Sequence, residues 1–538
     1  MSIVILTAGD YLTDELQAEF GSLPPPFLRI GNRRLFTVQA ELLRGVADRL
    51  VMTVPEHFEM PPADQKLLEQ LGIECIPVVE GLTLGKSIVY AINMLGVPDT
   101  PVKILHGDTL FTEPFTLEED IVSVHKARST YHWASYSLDE LGNTRFWNTT
   151  KDESAEDVLS GYFSFSSSTL LVQSITRNGD SFVEALNAYS RVRRLKPMRI
   201  GGEWLDFGHL QTYYESRWFL MARRVFNDLR IDGHVVTKLS ENKQKISAEA
   251  NWYREIPASL RLYTPVFLGD TMAGDRTGYM ISHEYLTPLS DLFVFGRLSP
   301  LVWKRIFDGC EEFLQECKKY ARGGHAKRAA SLYGEKAAER LQVYCRQHGL
   351  DDEKEWRING HTVPGFRTLV NQLNTLVDSS PGAEGIMHGD FCFGNILYDF
   401  RRGAVKVIDP RGHLADSRPE IFGDLRYDVA KLCHSALGMY DYIMAGMYEY
   451  RRKSTYDMSI SFCPDPHLEE IQLLFNAREF AGMSPTSPAV RAISALLLLS
   501  MLPLQSESRA RQAAPLARGL SLAAYLADDD AIGTHAEC

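Results

Sequence analysis

The sequence predicts an α/β domain with a mostly parallel sheet, followed by an α+β domain with a large helical part. Three observations support this fold class. Up to about residue 110, short apolar runs alternate with amphipathic stretches, which is the pattern of βαβ units. Around residues 218 to 232 the pattern changes to closely spaced short strands. After Pro300 helical patterns dominate. We therefore predict domains at 1–220 and 221–538.

Composition places the chain among ordinary globular proteins. Its 538 residues are enough for two to four domains, and 45% of them are apolar and 23% charged. The formal charge of −12 argues against a nucleic-acid partner, because binding to a phosphate backbone needs clustered Lys and Arg. An anionic substrate would instead need a local basic patch.

Targeting and redox signals are weak. The N-terminus has an apolar start but no basic flank, so it does not resemble a signal peptide. The apolar stretch Ala492 to Leu504 is shorter than the roughly 20 residues that span a bilayer, so we expect a core helix and no membrane span. Eight scattered cysteines without a C-x-x-C pair indicate neither a zinc ribbon nor a disulfide framework. A cytoplasmic location is the natural expectation.

The elements of the first domain follow from its apolar runs. The runs IVILTAG, RLVMTV, CIPVV and VKILHGD predict the strands, and stretches such as PADQKLLEQLG predict the intervening helices. The segment from Gly161 to Arg217 closes the domain. Ligands bind such sheets at the carboxyl ends of the strands, which directs attention to the residues after each run.

The second domain begins with strands and a helix. VFNDLRIDGHVVTKL predicts short strands, SENKQKISAEANWYREI a helix and YMISHEYL another strand. Helical patterns occupy the chain from Pro300 to about residue 378 and again after Tyr427. No internal repeat or low-complexity linker is visible.

Between these helical regions lies a chemical motif. IMHGDFCFGNILYD contains His388, Asp390 and Asn395, and VKVIDPRG places Asp409 at the end of an apolar run. Phosphoryl transfer needs a carboxylate near the acceptor hydroxyl and oxygen ligands for magnesium. Asp390 can orient the hydroxyl, while the amide of Asn395 and the carboxylate of Asp409 suit the metal.

HGDFCFGNIL, VIDPRG and GDLRYDVAKL together resemble the family of aminoglycoside phosphotransferases and choline kinases. The resemblance implies a protein-kinase-like bilobal fold that uses ATP and Mg²⁺. It implies a base at Asp390, supported by His388, and metal ligands at Asn395 and Asp409. Asp428 in the third motif takes a structural role in such folds.

A kinase also needs groups for the nucleotide upstream of this motif. Lys238, at the end of a candidate strand, is our candidate for the α and β phosphates, and Glu249 on the next helix would hold it. Glu284 and Tyr285 would form the hinge that meets the adenine. A glycine-rich phosphate loop is not found, since residues 222–269 contain Gly233 and one further glycine at their end.

The first domain resembles nucleotidyltransferases of the sugar-phosphate and phosphocholine type, which have a GT-A or Rossmann-like fold. IVILTAG, ILHGDTLF, SGYFSFSSSTLL and EWLDFGHLQTYYESR carry the resemblance over residues 1 to 217. It implies that Asp108 and Asp206 hold magnesium on a second NTP, for which CTP is one candidate. It also places Gly85 near the nucleotide base. The product would be an NDP-activated compound.

The first domain also departs from that family. AGDYLTDELQ replaces the glycine-rich turn, and Pro25 in LPPPFLRIG stands where the family has a lysine. Two cations that would bind phosphates are therefore missing. Arg29, Arg33, Arg34 or Lys86 could replace them, or the domain could bind a nucleotide without transferring it.

These features predict a bifunctional enzyme that phosphorylates a small alcohol and couples the phosphomonoester to a nucleotide. Families with these parts serve capsule or surface polysaccharide decoration. The alternative is a single-activity kinase with a degenerate or regulatory N-terminal module. The expected partners are the alcohol, its phosphate ester and nucleotides, and self-association into a homo-oligomer stays open. The acceptor also stays open: an aromatic cage of Trp252, Tyr253, Trp303 and Trp356 would suit a quaternary amine, and acidic residues would suit an amino sugar.

Overall fold

The computed structural model divides into two compact units. It describes residues 2–46, 48–114, 118–126, 131, 133–138, 144–148, 157–223, 229–414, 418–502 and 509–528. One unit comprises Met1–Arg223 with Phe295–Arg297, and the other comprises Arg224–Val294 with Leu298–Cys538.

The first unit contains both strands and helices. Its strands are β1 (Ile3–Thr7), β2 (Arg29–Ile30), β3 (Arg33–Arg34), β4 (Arg49–Pro55), β5 (Ile73–Val78), β6 (Val102–His106), β7 (Thr109–Phe111), β8 (Ile121–Lys126), β9 (Ser135–Leu138), β10 (Thr144–Trp147), β11 (Asp157–Phe165), β12 (Lys196–Met198) and β13 (Trp204–Asp206). Its helices are α1 (Asp14–Phe20), α2 (Leu35–Leu42), α3 (Pro62–Leu71), α4 (Leu84–Leu95), α5 (Ser168–Arg177), α6 (Phe182–Val192) and α7 (Leu210–Arg223). A short 3₁₀ turn spans Pro25–Phe27.

Its main sheet is mixed, and the N-terminal half of it is parallel. The order is β10-β9-β11-β6-β1-β4-β5, and β8 pairs with β11 and β12. β1 runs parallel to β4 and β6, whereas β11 is antiparallel to β6. β1 is buried on both faces, as a central parallel strand requires, and this explains its unbroken apolar run. The predicted α/β sheet is confirmed in this mixed form.

The carboxyl end of β6 continues directly into a paired turn. β7 follows two residues after β6 and pairs antiparallel with β13, so that Thr109 lies opposite Asp206. The backbone N–H of Phe207 donates to the carbonyl of Asp108 at 2.8 Å. This pairing brings two segments that are distant in sequence to one edge of the sheet.

The second unit has small sheets and many helices. Its strands are β14 (Leu229–Asp232), β15 (Val235–Ser240), β16 (Phe267–Ala273), β17 (Arg276–Ser282), β18 (Thr287–Pro288), β19 (Trp356–Ile358), β20 (His361–Val363), β21 (Glu384–Ile386), β22 (Ile396–Asp399), β23 (Ala404–Val407), β24 (Phe422–Asp424), β25 (Glu449–Arg452) and β26 (Asp457–Ser461). Its helices are α8 (Lys243–Glu255), α9 (Ala258–Arg261), α10 (Leu289–Phe295), α11 (Pro300–Lys318), α12 (His325–Ala329), α13 (Gly334–His348), α14 (Phe366–Asp378), α15 (Leu425–Ala436), α16 (Tyr440–Ala445), α17 (Pro466–Asn476), α18 (Pro488–Ser500) and α19 (Arg509–Asp528).

The N-terminal part of this unit is a four-stranded antiparallel sheet in the order β14-β15-β17-β16. Helix α8 packs on it and buries Ile246, Ala248 and Trp252. The indole of Trp252 donates to the carbonyl of Met387 at 2.9 Å, just before the HGD motif. Helix α8 is thereby tied to the segment that carries Asp390.

The C-terminal helices surround α18, which is buried along almost its whole length and packs against α13, α14, α15 and α19. This burial explains an apolar run that is not amphipathic. Within the described part of the chain, no helix combines the length and the apolar character needed to cross a membrane.

Candidate active sites

The lysine and the glutamate predicted for nucleotide binding meet the aspartate predicted as a metal ligand in the second unit. The ammonium of Lys238 on β15 lies 2.7 Å from Oε2 of Glu249 on α8 and 3.1 Å from Oδ1 of Asp409. The Tyr279 hydroxyl on β17 also donates to Glu249, at 3.3 Å. Three segments separated by up to 171 residues therefore converge on one ammonium group.

The neighbouring carboxylates keep the ammonium group of Lys238 in its charged form. Burial alone would lower the pKa of Lys238, but the charges of Asp409 and Glu249 outweigh burial and raise it. Burial raises the pKa of Glu249, and Lys238 opposes that effect. Lys238 thus remains a cation, and the exposed part of Asp409 is left facing solvent.

Asp390 forms a second cluster with groups on the same loop and on α15. Lys431 lies 2.8 Å from one carboxylate oxygen, and the amide nitrogen of Asn395 donates to the other at 2.9 Å. Burial would raise the pKa of Asp390, but Lys431 and then Arg411 overcome it and hold the pKa well below its usual range. Asp390 is therefore an anion at any physiological pH.

Hydrogen bonds with two buried side chains hold the loop that carries Asp390 in place. Asp428 accepts backbone N–H bonds from His388 at 2.8 Å and from Gly389 at 2.7 Å. The His388 ring is fully buried, and its Nδ1 accepts the N–H of Asp390 at 3.3 Å. Burial lowers the pKa of His388 to about 4, so the ring is neutral. His388, predicted among the catalytic residues, has the geometry of a positioning residue.

Asn395 and Asp409 are suited to a magnesium ion. Nδ2 of Asn395 is engaged by the backbone and side-chain oxygens of Asp390, which leaves its amide oxygen available. Asp409 uses one oxygen for Lys238 and has a φ of 55°, a strained conformation of the kind found at functional sites. In the described ranges, no three His, Cys, Asp or Glu side chains form a metal cluster. Any metal here would take ligands from the amide and from the nucleotide as well.

The predicted hinge residues connect two sheets. Residues 283–286 follow β17 and precede β18, which pairs with β22 next to Asn395. The Tyr285 hydroxyl donates to the carbonyl of Gly233 at 3.0 Å, and Glu284 accepts from Ser282 at 3.1 Å. Gly233 lies at the tight turn between β14 and β15, with a φ of 55°. The connection between β14 and β15 is thus a two-residue turn with a single glycine.

In the first unit, Asp108 and Asp206 approach each other across Gly208. A Cβ atom at Gly208 would lie 2.5 Å from Oδ2 of Asp108 and 3.5 Å from Oδ1 of Asp206. Burial, followed by the charge of Asp206, raises the pKa of Asp108 to about 7. Two close carboxylates of this kind are stabilised by a divalent cation. The donors therefore fit magnesium, which when bound would neutralise phosphate charge.

A cavity of about 360 Å³ opens beside this pair. Its polar lining includes Asp108, Asp206 and His209, and its aromatic lining includes Trp133 and Trp204. The hydrogen bond from His209 to Asp206 raises the pKa of His209. The cavity can therefore hold a compact ligand with one end near the two carboxylates.

Gly85, predicted near a nucleotide base, lies inside α4 as a packing glycine. A Cβ atom there would come within 2.4 Å of the carbonyl of Asp180. The neighbouring Leu84 lines the cavity. Contact of Gly85 itself with a nucleotide stays a prediction.

The arginines considered as replacements for the missing phosphate-binding cations have other partners. Arg34 is 2% exposed and makes a bidentate pair with Asp64, at 2.9 and 2.6 Å. Arg33 pairs with Glu41 at 2.6 Å on the surface. Pro25 is the first residue of the 3₁₀ turn. The next residue, Pro26, packs against Gly107, and a Cβ atom at Gly107 would lie 2.8 Å from the Pro26 ring. An apolar turn thus stands next to Asp108.

Sequence reasoning did not single out Lys431 or Arg411. Both lie inside quoted motifs, RYDVAKL and DPRG, so a search of those motifs for extra charge could have found them.

The N-terminal part of the chain is similar to solved nucleotidyltransferases. A UDP-glucose pyrophosphorylase complexed with UDP-glucose is 12% identical over 42% of this chain and all of its own, with a TM-score of 0.33. A nucleoside-diphosphate-sugar pyrophosphorylase from Vibrio cholerae is 13% identical over 40% of this chain and 99% of its own, also with a TM-score of 0.33. CTP:phosphocholine cytidylyltransferase from Streptococcus pneumoniae is 12% identical over 41% and 99%, with a TM-score of 0.32. No protein-family model matches the sequence, and no curated protein matches it either.

Proposed function

We propose that the protein is a bifunctional enzyme that phosphorylates a small alcohol and transfers a nucleotide to the phosphomonoester. The second unit would perform the ATP-dependent phosphorylation as a kinase of the aminoglycoside phosphotransferase and choline kinase type. The first unit would perform the nucleotidyl transfer. The convergence of Lys238, Glu249 and Asp409 on one ion-pair network carries the proposal, because a lysine that is held by a glutamate on the next helix and lies beside a carboxylate suited to magnesium is the arrangement that kinases use for the phosphates.

In the kinase reaction, Lys238 would bind the α and β phosphates while Glu249 fixes its position. Asp390 would accept a hydrogen bond from the acceptor hydroxyl and orient its oxygen towards the γ-phosphorus. Its low pKa suits orientation rather than strong proton abstraction, as a loose transition state requires. Magnesium held by Asn395 and Asp409 would supply charge neutralisation of the phosphates.

In the nucleotidyl transfer, Asp108 and Asp206 would hold the magnesium of an NTP, with CTP as one candidate. The cavity of about 360 Å³ beside them would receive the phosphomonoester. The product of the first reaction would be the substrate of the second, and the final product would be an NDP-activated precursor. Such precursors suit the decoration of capsule or surface polysaccharide.

Two assays on the full chain test this proposal. The first measures ADP formation from ATP and Mg²⁺ with a panel of alcohols, amino alcohols, hydroxy acids and sugars. The second measures pyrophosphate release from each NTP with the corresponding phosphomonoesters. Absence of ADP formation with every acceptor, together with absence of Mg·ATP binding, would refute the kinase.

A second candidate is a single-activity kinase with a nucleotide-binding N-terminal module. The specific observation in its favour is that Arg33 and Arg34 are paired with Glu41 and Asp64, while Pro25 occupies the expected lysine position. This candidate predicts nucleotide binding to the first unit without pyrophosphate release. The bifunctional enzyme predicts release that Asp108→Asn abolishes.

A further inference from the structure

One face of helix α15 lies against the loop that carries Asp390. Asp428 accepts two backbone N–H groups at the start of that loop, at 2.7 and 2.8 Å. Two turns later, Ser435 accepts the backbone N–H of Phe393 at 3.1 Å. Lys431 lies between them, and the spacing 428, 431, 435 places all three on one helix face. The ammonium of Lys431 lies 2.8 Å from Oδ1 of Asp390.

The contact made by Lys431 differs in kind from the other two. Asp428 and Ser435 accept backbone N–H groups, so they fix the path of the loop. Lys431 contacts a side-chain carboxylate instead. Burying a charged group costs free energy unless it is well paired. Because the loop is already held on both sides of Asp390, the lysine is not needed for its path.

The carboxylate of Asp390 is held at both oxygens. Lys431 lies at Oδ1, and the amide nitrogen of Asn395 donates to Oδ2 at 2.9 Å. These two contacts oppose rotation of the carboxylate. The side chain of Asp390 is 37% exposed and that of Lys431 11%, so the carboxylate is open to a ligand while the lysine approaches it from the interior. A carboxylate oxygen has a further lone pair that can accept the hydroxyl of an acceptor.

The positive charge of Lys431 also matters for a phosphate beside Asp390. A hydroxyl oxygen ready to react lies about 3–3.5 Å from the atom that it attacks. The carboxylate would then lie close to the anionic oxygens of the γ-phosphate, and like charges repel. Burial would lower the pKa of Lys431, but the charge of Asp390 outweighs burial and raises it. Lys431 therefore stays a cation and offsets the charge of the carboxylate.

We infer that Lys431 is a positioning residue for phosphoryl transfer, which holds the carboxylate of Asp390 at the acceptor hydroxyl and offsets its charge beside the γ-phosphate. This inference rests on the proposed kinase function. The hydroxyl oxygen forms a bond to the γ-phosphorus as the bond to the β-γ bridging oxygen breaks. ADP leaves, and the hydroxyl proton passes by way of Asp390 to solvent. Lys431 keeps its own protons throughout.

Steady-state kinetics of Lys431→Met test the assignment with the full chain, ATP and Mg²⁺. The acceptor is whichever of choline, ethanolamine, glycerol, glycerate and glucosamine the unaltered protein phosphorylates fastest. We expect kcat to fall about a hundredfold, because the contact acts on the transition state. The Kd for Mg·ATP and the acceptor KM should change less than about threefold. An unchanged kcat, or a Kd that rises as much as kcat falls, would overturn the inference.

Ser435→Ala separates the effect of the charge from that of holding the loop. It removes a contact with the same loop from the same helix face and leaves every charge in place. Its loss in kcat should be smaller than that of Lys431→Met by about tenfold or more. Equal losses in the two variants would mean that Lys431 only supports the loop. Lys243→Met, the same substitution at an exposed position, is the control and should change neither kcat nor Kd.

A conservative variant supplies a readout that a purely structural lysine would not give. Lys431→Arg keeps the positive charge and should be faster than Lys431→Met by about tenfold or more. Circular dichroism and thermal unfolding check that both variants are folded. Lys431→Gln is the neutral variant for the same comparison should the methionine variant not fold. Equal kcat for folded arginine and neutral variants would reject the role of the charge.

Two measurements on the unaltered protein separate failure of this inference from failure of the kinase proposal. If the protein binds Mg·ATP and forms ADP with an acceptor, and Lys431→Met has the same kcat, the inference fails and the kinase stands. If the protein neither binds Mg·ATP nor forms ADP with any acceptor, the kinase proposal fails and the role of Lys431 fails with it.

Discussion

Lys238 shows how one side chain can link several segments of a site. Its ammonium lies between Glu249 and Asp409, and burial leaves little room for a replacement charge. We expect Lys238→Met to weaken Mg·ATP binding and to lower kcat/KM by about a hundredfold or more, because Glu249 loses its partner and the phosphates lose a cation. Lys243→Met, on the exposed first turn of α8, is the control.

Isothermal titration with a non-hydrolysable ATP analogue measures the binding. Circular dichroism would show whether the variant keeps its helices. Unchanged nucleotide affinity in folded Lys238→Met protein would remove Lys238 from the proposed site.

Arg34 and Arg33 allow a comparison of buried and exposed ion pairs. Arg34→Ala leaves Asp64 buried without its partner, which we expect to lower the free energy of unfolding of the first unit by about 3–5 kcal/mol. Arg33→Ala removes a surface pair and should cost less than about 1 kcal/mol. Urea unfolding followed by hydrogen exchange in β1 and β4 measures both. Equal effects would mean that Arg34 is not a structural residue.

The loop after β23 and the helix α8 approach each other at Gly412. Its φ is +68°, and a Cβ atom would lie 2.0 Å from the carbonyl oxygen of Ala248, next to Glu249. Gly412→Ala should therefore displace α8 and weaken Mg·ATP binding by about tenfold, in addition to the backbone strain.

Gly403→Ala is a matched control, because Gly403 has a φ of +63° and its Cβ would meet nothing closer than 3.9 Å. Both variants carry similar backbone strain, so a difference in nucleotide affinity isolates the contact with α8. Equal affinity in the two variants would show that this contact does not position Glu249.

Local patterns allowed the elements around the HGD and DPRG motifs to be predicted. HGD and DPRG mark tight turns after apolar runs, and the strand and helix that carry Lys238 and Glu249 have clear periodicity. The tertiary partners of the site residues could not be predicted in the same way. Lys431 on α15 pairs with Asp390, and no short-range signal encodes that pairing.

The direction and pairing of the antiparallel strands in the first unit also could not be predicted from local sequence patterns. The expectation of a mostly parallel sheet came from the apolar runs and amphipathic stretches that alternate before residue 110. β11 follows that region and pairs antiparallel with β6. The pairing of β7 with β13, which brings Asp108 to Asp206, joins residues almost a hundred positions apart. The carboxylates themselves were recognisable because each ends a strand or a turn within a family-like motif.

The two units have separate sets of carboxylates, so the two proposed activities should be separable by mutation. Asp390→Asn should abolish acceptor phosphorylation and spare pyrophosphate release from a supplied phosphomonoester. Asp108→Asn should have the opposite effect. A mixture of the two full-length variants should convert the alcohol to the nucleotide-linked product after a lag, since the phosphomonoester can diffuse between molecules. Chromatography of the products measures this, and loss of both activities in either single variant would contradict it.

The hydrogen bond from Trp252 to Met387 has a consequence for control of the proposed kinase. Activation of a protein kinase depends on the position of the helix that carries its glutamate, because that position decides whether the glutamate pairs with the lysine. In this protein α8 is attached to the segment before Asp390, and Glu249 pairs with Lys238. For the proposed kinase we therefore expect no activating movement of α8, so that its rate should follow the supply of alcohol and ATP.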